Sequence, residues 1–436
     1  MSIPPDTFLV HAKTLLTMPE SPPQLRAYEG LDAAGLRARD EAITGSIHDA
    51  GVLVEGGRIA WFGPWQDRPK RARRGDLPTM DTGVASPGWV ECHTHSVFAG
   101  DRSQEFAARN AGASYVEILE AGGGILQTVR DTRKASREAL ADLLVQRTFE
   151  FIRRGVTTLE VKSGYGLTTK HELKMLRAIA DAQPHVPCEL VPCFMGAHAF
   201  PEEYRNKRGD YVQMVCQKMI PRVAEEGLAQ YCDVFCDRGA FTLEETEHIL
   251  KTAQSHGLKA RVHADEITHT GAAQLAARLG ATSADHLEHT SDEDLDALAR
   301  AGVVGVLMPA VNLNLGTTDH LARARAMLAR GMEVALSTDF NPGSAMTQDL
   351  GQMLHLGCTL YKMTPGEALR AVTIGAAKAL GRDDIGRIRE GAQANLTLLD
   401  APSVAYIPYF AGRNHVEGVI WKGQFVYWIE DEGMTT

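Results

Sequence analysis

The sequence predicts an α/β protein: a (β/α)8 TIM barrel with a small β-sandwich assembled from the N- and C-terminal segments. Three observations predict it. Eight short apolar or β-branched runs alternate with longer amphipathic stretches between residues 86 and 385, polar residues collect at the ends of those runs, and both ends of the chain are rich in strand signals.

The eight runs are "GWVECHTH", "TLEVKSGY", "CELVPCFMGAH", "YCDVFCD", "KARVHADE", "TSADHLEH", "GVVGVLMPA" and "EVALSTDFN". The segment after the first is "SREALADLLVQRTFEFIRRG", in which Leu140, Leu143, Leu144, Phe151 and Ile152 share one face at the helical period. Ser136 can cap its start and Gly155 can stop it. Similar segments cover about 169 to 183, 211 to 227, 242 to 256, 268 to 280, 291 to 301 and 318 to 330. A doubly wound sheet is the alternative, but eight units with polar strand ends favour the barrel.

Outside the barrel, "TFLVHAKTLLT" and "AGVLVEGGRIAWFGPW" near the start match "ANLTLLDA" and "VEGVIWKGQFVYWI" near the end in strand character. Each set is too short to stand alone. The expected division is 1–85 and 386–436 for the two parts of the sandwich and 86–385 for the barrel. Residues 18–45 form an excursion between N-terminal strands, polar and Pro-containing first, then Ala- and charge-rich, with one short helix.

The bulk composition narrows the function. The chain has 436 residues, 44% hydrophobic and 23% charged, ordinary values for a globular protein with a large core. Acidic residues outnumber basic ones by 55 to 45, for a net charge of -10, which disfavours nucleic acid or an anionic membrane as partner. The longest apolar run, "GVVGVLMPAV", falls far short of the ~20 residues a membrane span needs. With no secretory pattern at the start and seven scattered cysteines without a Cys-x-x-Cys pair, the expected location is the cytoplasm. Cys232 and Cys236 read as core-strand residues, and Gly122 to Gly124, lacking a following Lys-Ser/Thr, as a flexible turn.

Chemistry concentrates at the strand ends. In a strand, residues i and i+2 face the same way, so His93 and His95 aim two imidazoles in one direction. That pair alone is weak evidence. His263 with Asp265 and Glu266 ends the fifth run, Asp285, His286, Glu288 and His289 lie in the sixth, and Asp339 with Asn341 ends the eighth. A barrel brings these positions to one mouth, and three imidazoles with one carboxylate suit zinc or iron(II) with room for a water. Metal binding lowers the pKa of that water from 15.7 to roughly 7. Asp339 is the candidate to move its proton to a leaving nitrogen, with Glu266 and His286 orienting the water and polarising a carbonyl. Asp265, Glu288 and His289 read as supporting groups, and His320, His355 and His415 as surface or packing histidines.

The strand ending "HTH", the His of the fifth run, a His on the sixth and the Asp of the eighth resemble the amidohydrolase superfamily. "YCDVFCD" offers no lysine for carboxylation, so the resemblance points to a mononuclear site. A narrower likeness runs through "HTHSVFAGDR", "GASYVEILEAGGGILQTVRDTR", "EVKSGYGL", "GAHAFPEEY", "VHADE", "SADHLEH", "STDFNPGS" and "YIPYFAGRNHVEGVIWKG", which are similar in order and spacing to the imidazolonepropionase family. That resemblance implies ring opening of 4-imidazolone-5-propanoate by water to N-formimidoyl-L-glutamate, in histidine degradation. It implies one zinc or iron ion per subunit on His93, His95, His263 and Asp339. It further implies substrate or product contacts at Arg102, Tyr165, His198, Glu266, Asn341, Gly343 and Ser344, and catalytic assistance from His286 and Glu266. An arginine suits the propanoate because it grips a carboxylate through two parallel hydrogen bonds. A homodimer is the expected assembly.

Two rivals stay open on the residues. Another mononuclear amidohydrolase, such as a cytosine- or guanine-type deaminase, would keep the metal residues without needing Arg102 or "DFNPGS". A catalytically dead scaffold barrel would have lost ligands, and all four are present.

Overall fold

The computed structural model describes residues 6–21, 30–113, 117 and 122–429. Eight parallel strands make the central sheet: β5 (Trp89–Glu91), β6 (Val156–Lys162), β7 (Glu189–Ala197), β8 (Tyr231–Cys236), β9 (Lys259–Ala264), β10 (Ser283–His286), β11 (Val304–Leu307) and β12 (Val334–Leu336), hydrogen-bonded in chain order. The sheet curls until its ends meet. Just past β5 and β12, Thr94 bridges Phe340 in parallel, and the His95 N–H donates to the Phe340 carbonyl at 3.0 Å. The ligand-bearing segment after β5 and the Asp339 segment after β12 are thereby locked side by side.

The helices that cover the barrel form where the apolar period predicts. Helix Arg137–Ile152 starts at Ser136, whose side chain accepts the Ala139 N–H, and buries Leu140, Leu144, Phe151 and Ile152. Gly155 then turns the chain at φ +91°, a left-handed value open to glycine without penalty. Helices Leu243–Ser255 and Asp292–Ala301 both open on capping boxes, at Thr242 with Glu245 and at Ser291 with Asp294. The stretch expected as one helix over 211–227 is instead Arg208–Met214, a π-helical turn at Val215–Met219, and Ile220–Glu225. Pro221, which lacks an N–H, sits at the start of the last piece, where the α-helical ladder resumes. The segment expected over 318–330 is helical only at Ala324–Ala329.

The ends of the chain build a second sheet of β1 (Thr7–Leu16), β2 (Ser46–Glu55), β3 (Arg58–Pro64), β4 (Thr79–Pro87), β13 (Leu396–Leu399), β14 (Val416–Trp421) and β15 (Gln424–Trp428), in the order β15-β14-β13-β4-β1-β2-β3. Three strands lie between β1 and β15 in that order, yet Phe8 and Phe425 meet with ring centroids 5.2 Å apart. The sheet therefore folds over its own apolar core, which includes Val10, Val52, Leu396 and Ile420. β4 leads directly into β5, so the sandwich is anchored where the metal-type histidines begin.

Within the excursion, helix Ala33–Thr44 is capped by Asp32. Arg39 reaches the buried Glu367 at 2.6 Å, and Asp40 accepts from Thr364 and the Gly366 N–H. These bonds tie the excursion to the last barrel helices. No described helix is long and apolar enough to cross a membrane, and the seven cysteines form no disulfide.

Candidate active site

The barrel mouth gathers five side chains from four strand ends. His93, His95, His263, His286 and Asp339 are all buried, and their rings and carboxylate converge. The Nε2 atoms of His93 and His95 each lie 3.4 Å from Asp339 Oδ1. His93 also stands with His263 and His286 in a second cluster whose potential ligand atoms lie within 4.8 Å of one another.

Tautomers decide what these atoms can do. His93 Nδ1 meets Asp285 Oδ2 at 2.6 Å, and His263 Nδ1 meets Asp233 Oδ1 at 2.9 Å. A neutral imidazole has one N–H, and here each is committed to a carboxylate, so both Nε2 atoms present lone pairs. Those two Nε2 atoms and Asp339 Oδ1 are buried without a hydrogen-bond partner. Buried acceptors facing one another are costly unless something positive lies between them. The donor set therefore fits a divalent cation, with His95 Nε2 as a further nitrogen donor.

Behind the ligands lies a buried charge network. Lys162 Nζ pairs with Glu160 at 2.7 Å and Asp233 at 2.8 Å, and Arg261 donates to Asp285 at 2.9 Å and to the Cys92 carbonyl at 2.9 Å. His93 and His263 are thus each backed by a carboxylate that is itself backed by a cation. Glu91 accepts the N–H groups of His93 and Thr338 at 3.2 and 3.1 Å and bonds the Ser337 hydroxyl, clamping β5 to the end of β12. Burial pushes its carboxyl up to about 7. Asp233, Glu91 and the two cations were not picked out from the sequence, and Asp285 was picked out only as a strand-end neighbour of His286, not as the partner of His93. Their signal was period two: Glu91, His93 and His95 share a face, as do Arg261 and His263.

Three of these strand ends break at non-glycine residues with left-handed backbone, Asp265 (φ +53°), His286 (+80°) and Asp339 (+50°). Such conformations cost on the order of 1 kcal/mol or more and concentrate at functional sites. Asp265 itself accepts from the Thr270 N–H and hydroxyl, both at 2.8 Å, a supporting role as expected.

The other expected residues surround this centre. His198 stacks on His95 (centroids 4.8 Å, 21°), and the Tyr165 ring lies 5.9 Å from His95 and 5.3 Å from His198. His286 Nε2 is 3.6 Å from Glu266. Burial, then the charge of Asp339, pushes the Glu266 carboxyl up to about 8, while burial and the neighbouring His263 push the His286 imidazole down to about 4. Both shifts favour the uncharged forms, a protonated Glu266 and a neutral His286.

Asn341 is differently employed. Its Nδ2 donates to the Asp339 carbonyl (2.7 Å), Asp339 Oδ2 (3.0 Å) and Ser344 Oγ (2.8 Å), and its Oδ1 accepts the Gly343 and Ser344 N–H groups at 2.8 Å. It fastens Asp339 to the following turn. Gly343 lies against Arg102: a Cβ there would come within 2.2 Å of Arg102 Nη1. Part of the family-like block at 112–133 lies outside the described residues.

Comparison with known proteins places this arrangement. The family model described as "Amidohydrolase family" matches residues 99–427. The chain is 46% identical over 387 residues to the imidazolonepropionase of Shouchella clausii, covering 88% of this chain and 86% of that one. It is 44% identical over 425 residues to that of Solibacter usitatus, covering 97% and 99%. Among solved structures, a triazine hydrolase variant superposes with TM-score 0.71 at 17% identity, covering 97% of this chain and 95% of that one. A zinc-bound adenosine deaminase from Xanthomonas campestris gives TM-score 0.69 at 18% identity, covering 97% and 93%. The structural likenesses carry the barrel-plus-sandwich fold, the sequence likenesses carry more, and the chain belongs to the imidazolonepropionases of the amidohydrolase family.

Proposed function

We infer that the chain hydrolyses the ring C–N bond of 4-imidazolone-5-propanoate, giving N-formimidoyl-L-glutamate in histidine degradation. The observation that carries this reading is the set of buried, partnerless acceptors at His93 Nε2, His263 Nε2 and Asp339 Oδ1, in a chain of this family. With His95 they would hold one zinc or iron ion per subunit. Bound there, the cation supplies Lewis acidity, which makes water a usable nucleophile near neutral pH.

The chain's own groups do the rest. Asp339 takes a proton from the attacking water and returns it to the ring nitrogen as the C–N bond breaks. Asn341, donating to Asp339 Oδ2, fixes which face of that carboxylate works. Neutral His286 donates a hydrogen bond to the oxygen that gains charge at the ring carbonyl. Glu266, when protonated, can donate to the ring edge. Tyr165 and His198 wall the pocket, and Arg102, with the backbone near Gly343 and Ser344, receives the propanoate. The active enzyme is a homodimer working in the cytoplasm.

The test follows loss of the imidazolone chromophore with purified protein before chelation, after it, and after return of zinc or iron. Turnover abolished by chelation and restored by metal is the expected result; no turnover by the metal-loaded protein would sink the assignment.

A further inference from the structure

We propose that Glu105 is a positioning residue for Arg102, presenting one edge of its guanidinium to the substrate carboxylate; this rests on the reading of Arg102 as the propanoate ligand. Glu105 stands one turn into helix Ser103–Asn110, directly after Arg102. Its Oε2 accepts Arg102 Nε–H at 2.8 Å and its Oε1 accepts from Nη2 at 2.5 Å. A guanidinium has five N–H donors. This fork uses two on one edge, and the parallel pair on Nη1 and Nη2 stays available for a second carboxylate.

The guanidinium is wedged as well as bonded. Nη1 lies against the Gly343 Cα, on the turn that follows Asp339. Glu105 Oε2 also accepts the Gly124 N–H at 2.9 Å, so the carboxylate is fixed from a second side. The side chains of Arg102 and Glu105 are only 13% and 10% exposed, where charge-assisted bonds are screened little by water.

Local charge points the same way. Arg109 donates to the Gly343 carbonyl at 3.4 Å, which brings a second guanidinium to this turn. Arg102 and Arg109 thus both face this turn beside Glu105, a setting that suits an anionic substrate group. Without Glu105 the arginine would swing about its own torsions, and each binding event would have to order it.

The test uses the metal-loaded enzyme. Glu105→Gln should raise KM for 4-imidazolone-5-propanoate about tenfold, as expected when a charge-assisted bond is weakened, while kcat, metal content and Tm change little. Adding Glu105→Gln to Arg102→Met should leave KM where Arg102→Met alone puts it. An unchanged or lowered KM in Glu105→Gln overturns the proposal, as does a joint fall of kcat, metal content and Tm, the mark of a merely structural group. If Arg102→Met itself leaves KM unmoved, the reading of Arg102 fails; if it raises KM and Glu105→Gln does not, only the positioning role fails.

Discussion

Asp285 Oδ2 sits 2.6 Å from His93 Nδ1, and the same oxygen accepts from Arg261 at 2.9 Å. That contact sets the tautomer of His93 and turns its Nε2 lone pair toward Asp339. Asp285→Asn keeps the shape but removes the charge that makes the imidazole a better donor to metal. Metal affinity should fall about 10- to 100-fold, the usual cost of losing such a partner. Titration against a competing chelator measures it, and activity should return at excess metal; unchanged affinity would show that the histidine needs no such support.

Lys162 sits between Glu160 and Asp233 with all three side chains fully buried. Removing one partner of a buried ion pair strands the other's charge, at about 3–5 kcal/mol. Lys162→Met should lower stability by that order in urea unfolding, and it should loosen His263 through Asp233. A loss within about 0.5 kcal/mol, typical of surface positions, would contradict the network.

Much of this was legible in the sequence because period-two and period-3.6 patterns survive in strands and helices that face one core. His93, His95, His263 and Asp339 could be gathered only by supposing a barrel, since more than 150 residues separate the pair from His263. What stayed hidden was pairing across strands. Asp285 reads as the neighbour of His286, yet its partner is His93, 192 residues away. Lys162 was passed over because the lysine was sought on the fourth strand, and it lies on the second. Asn341 and Gly343 read as substrate contacts, and what the sequence did not show is that both also hold the turn and Arg102 in place.

Gly343→Ala tests the wedge against Arg102. A methyl at 2.2 Å from Nη1 would push the guanidinium end of Arg102 aside, out of line with its fork on Glu105. The φ of Gly343 is not left-handed, so alanine brings no backbone strain. The expected outcome is KM raised several-fold with stability within about 0.5 kcal/mol of the parent. Normal KM would mean that Arg102 has room elsewhere.

His171 governs an acid-sensitive part of the stability. It lies at the third position of helix Thr169–Ala182, with its Nδ1 2.8 Å from the Thr168 hydroxyl. Burial, then the charges of Lys174, Arg133 and Lys170, pushes its imidazole down from 6.5 to about 4. The positive end of the helix acts in the same sense. Because the folded pKa lies below the unfolded one, the unfolded chain binds a proton that the folded chain refuses. The contribution is complete above pH 6.5, falls as pH drops toward 4, and is gone below it. The residue is partly exposed, so solvent screening trims the effect to on the order of 1 kcal/mol. His171→Gln removes the titrating group while keeping a polar side chain beside Thr168. Between pH 7.5 and 4.5 the variant should lose less thermal stability than the parent, and parallel losses in the two proteins would assign the acid sensitivity to other groups.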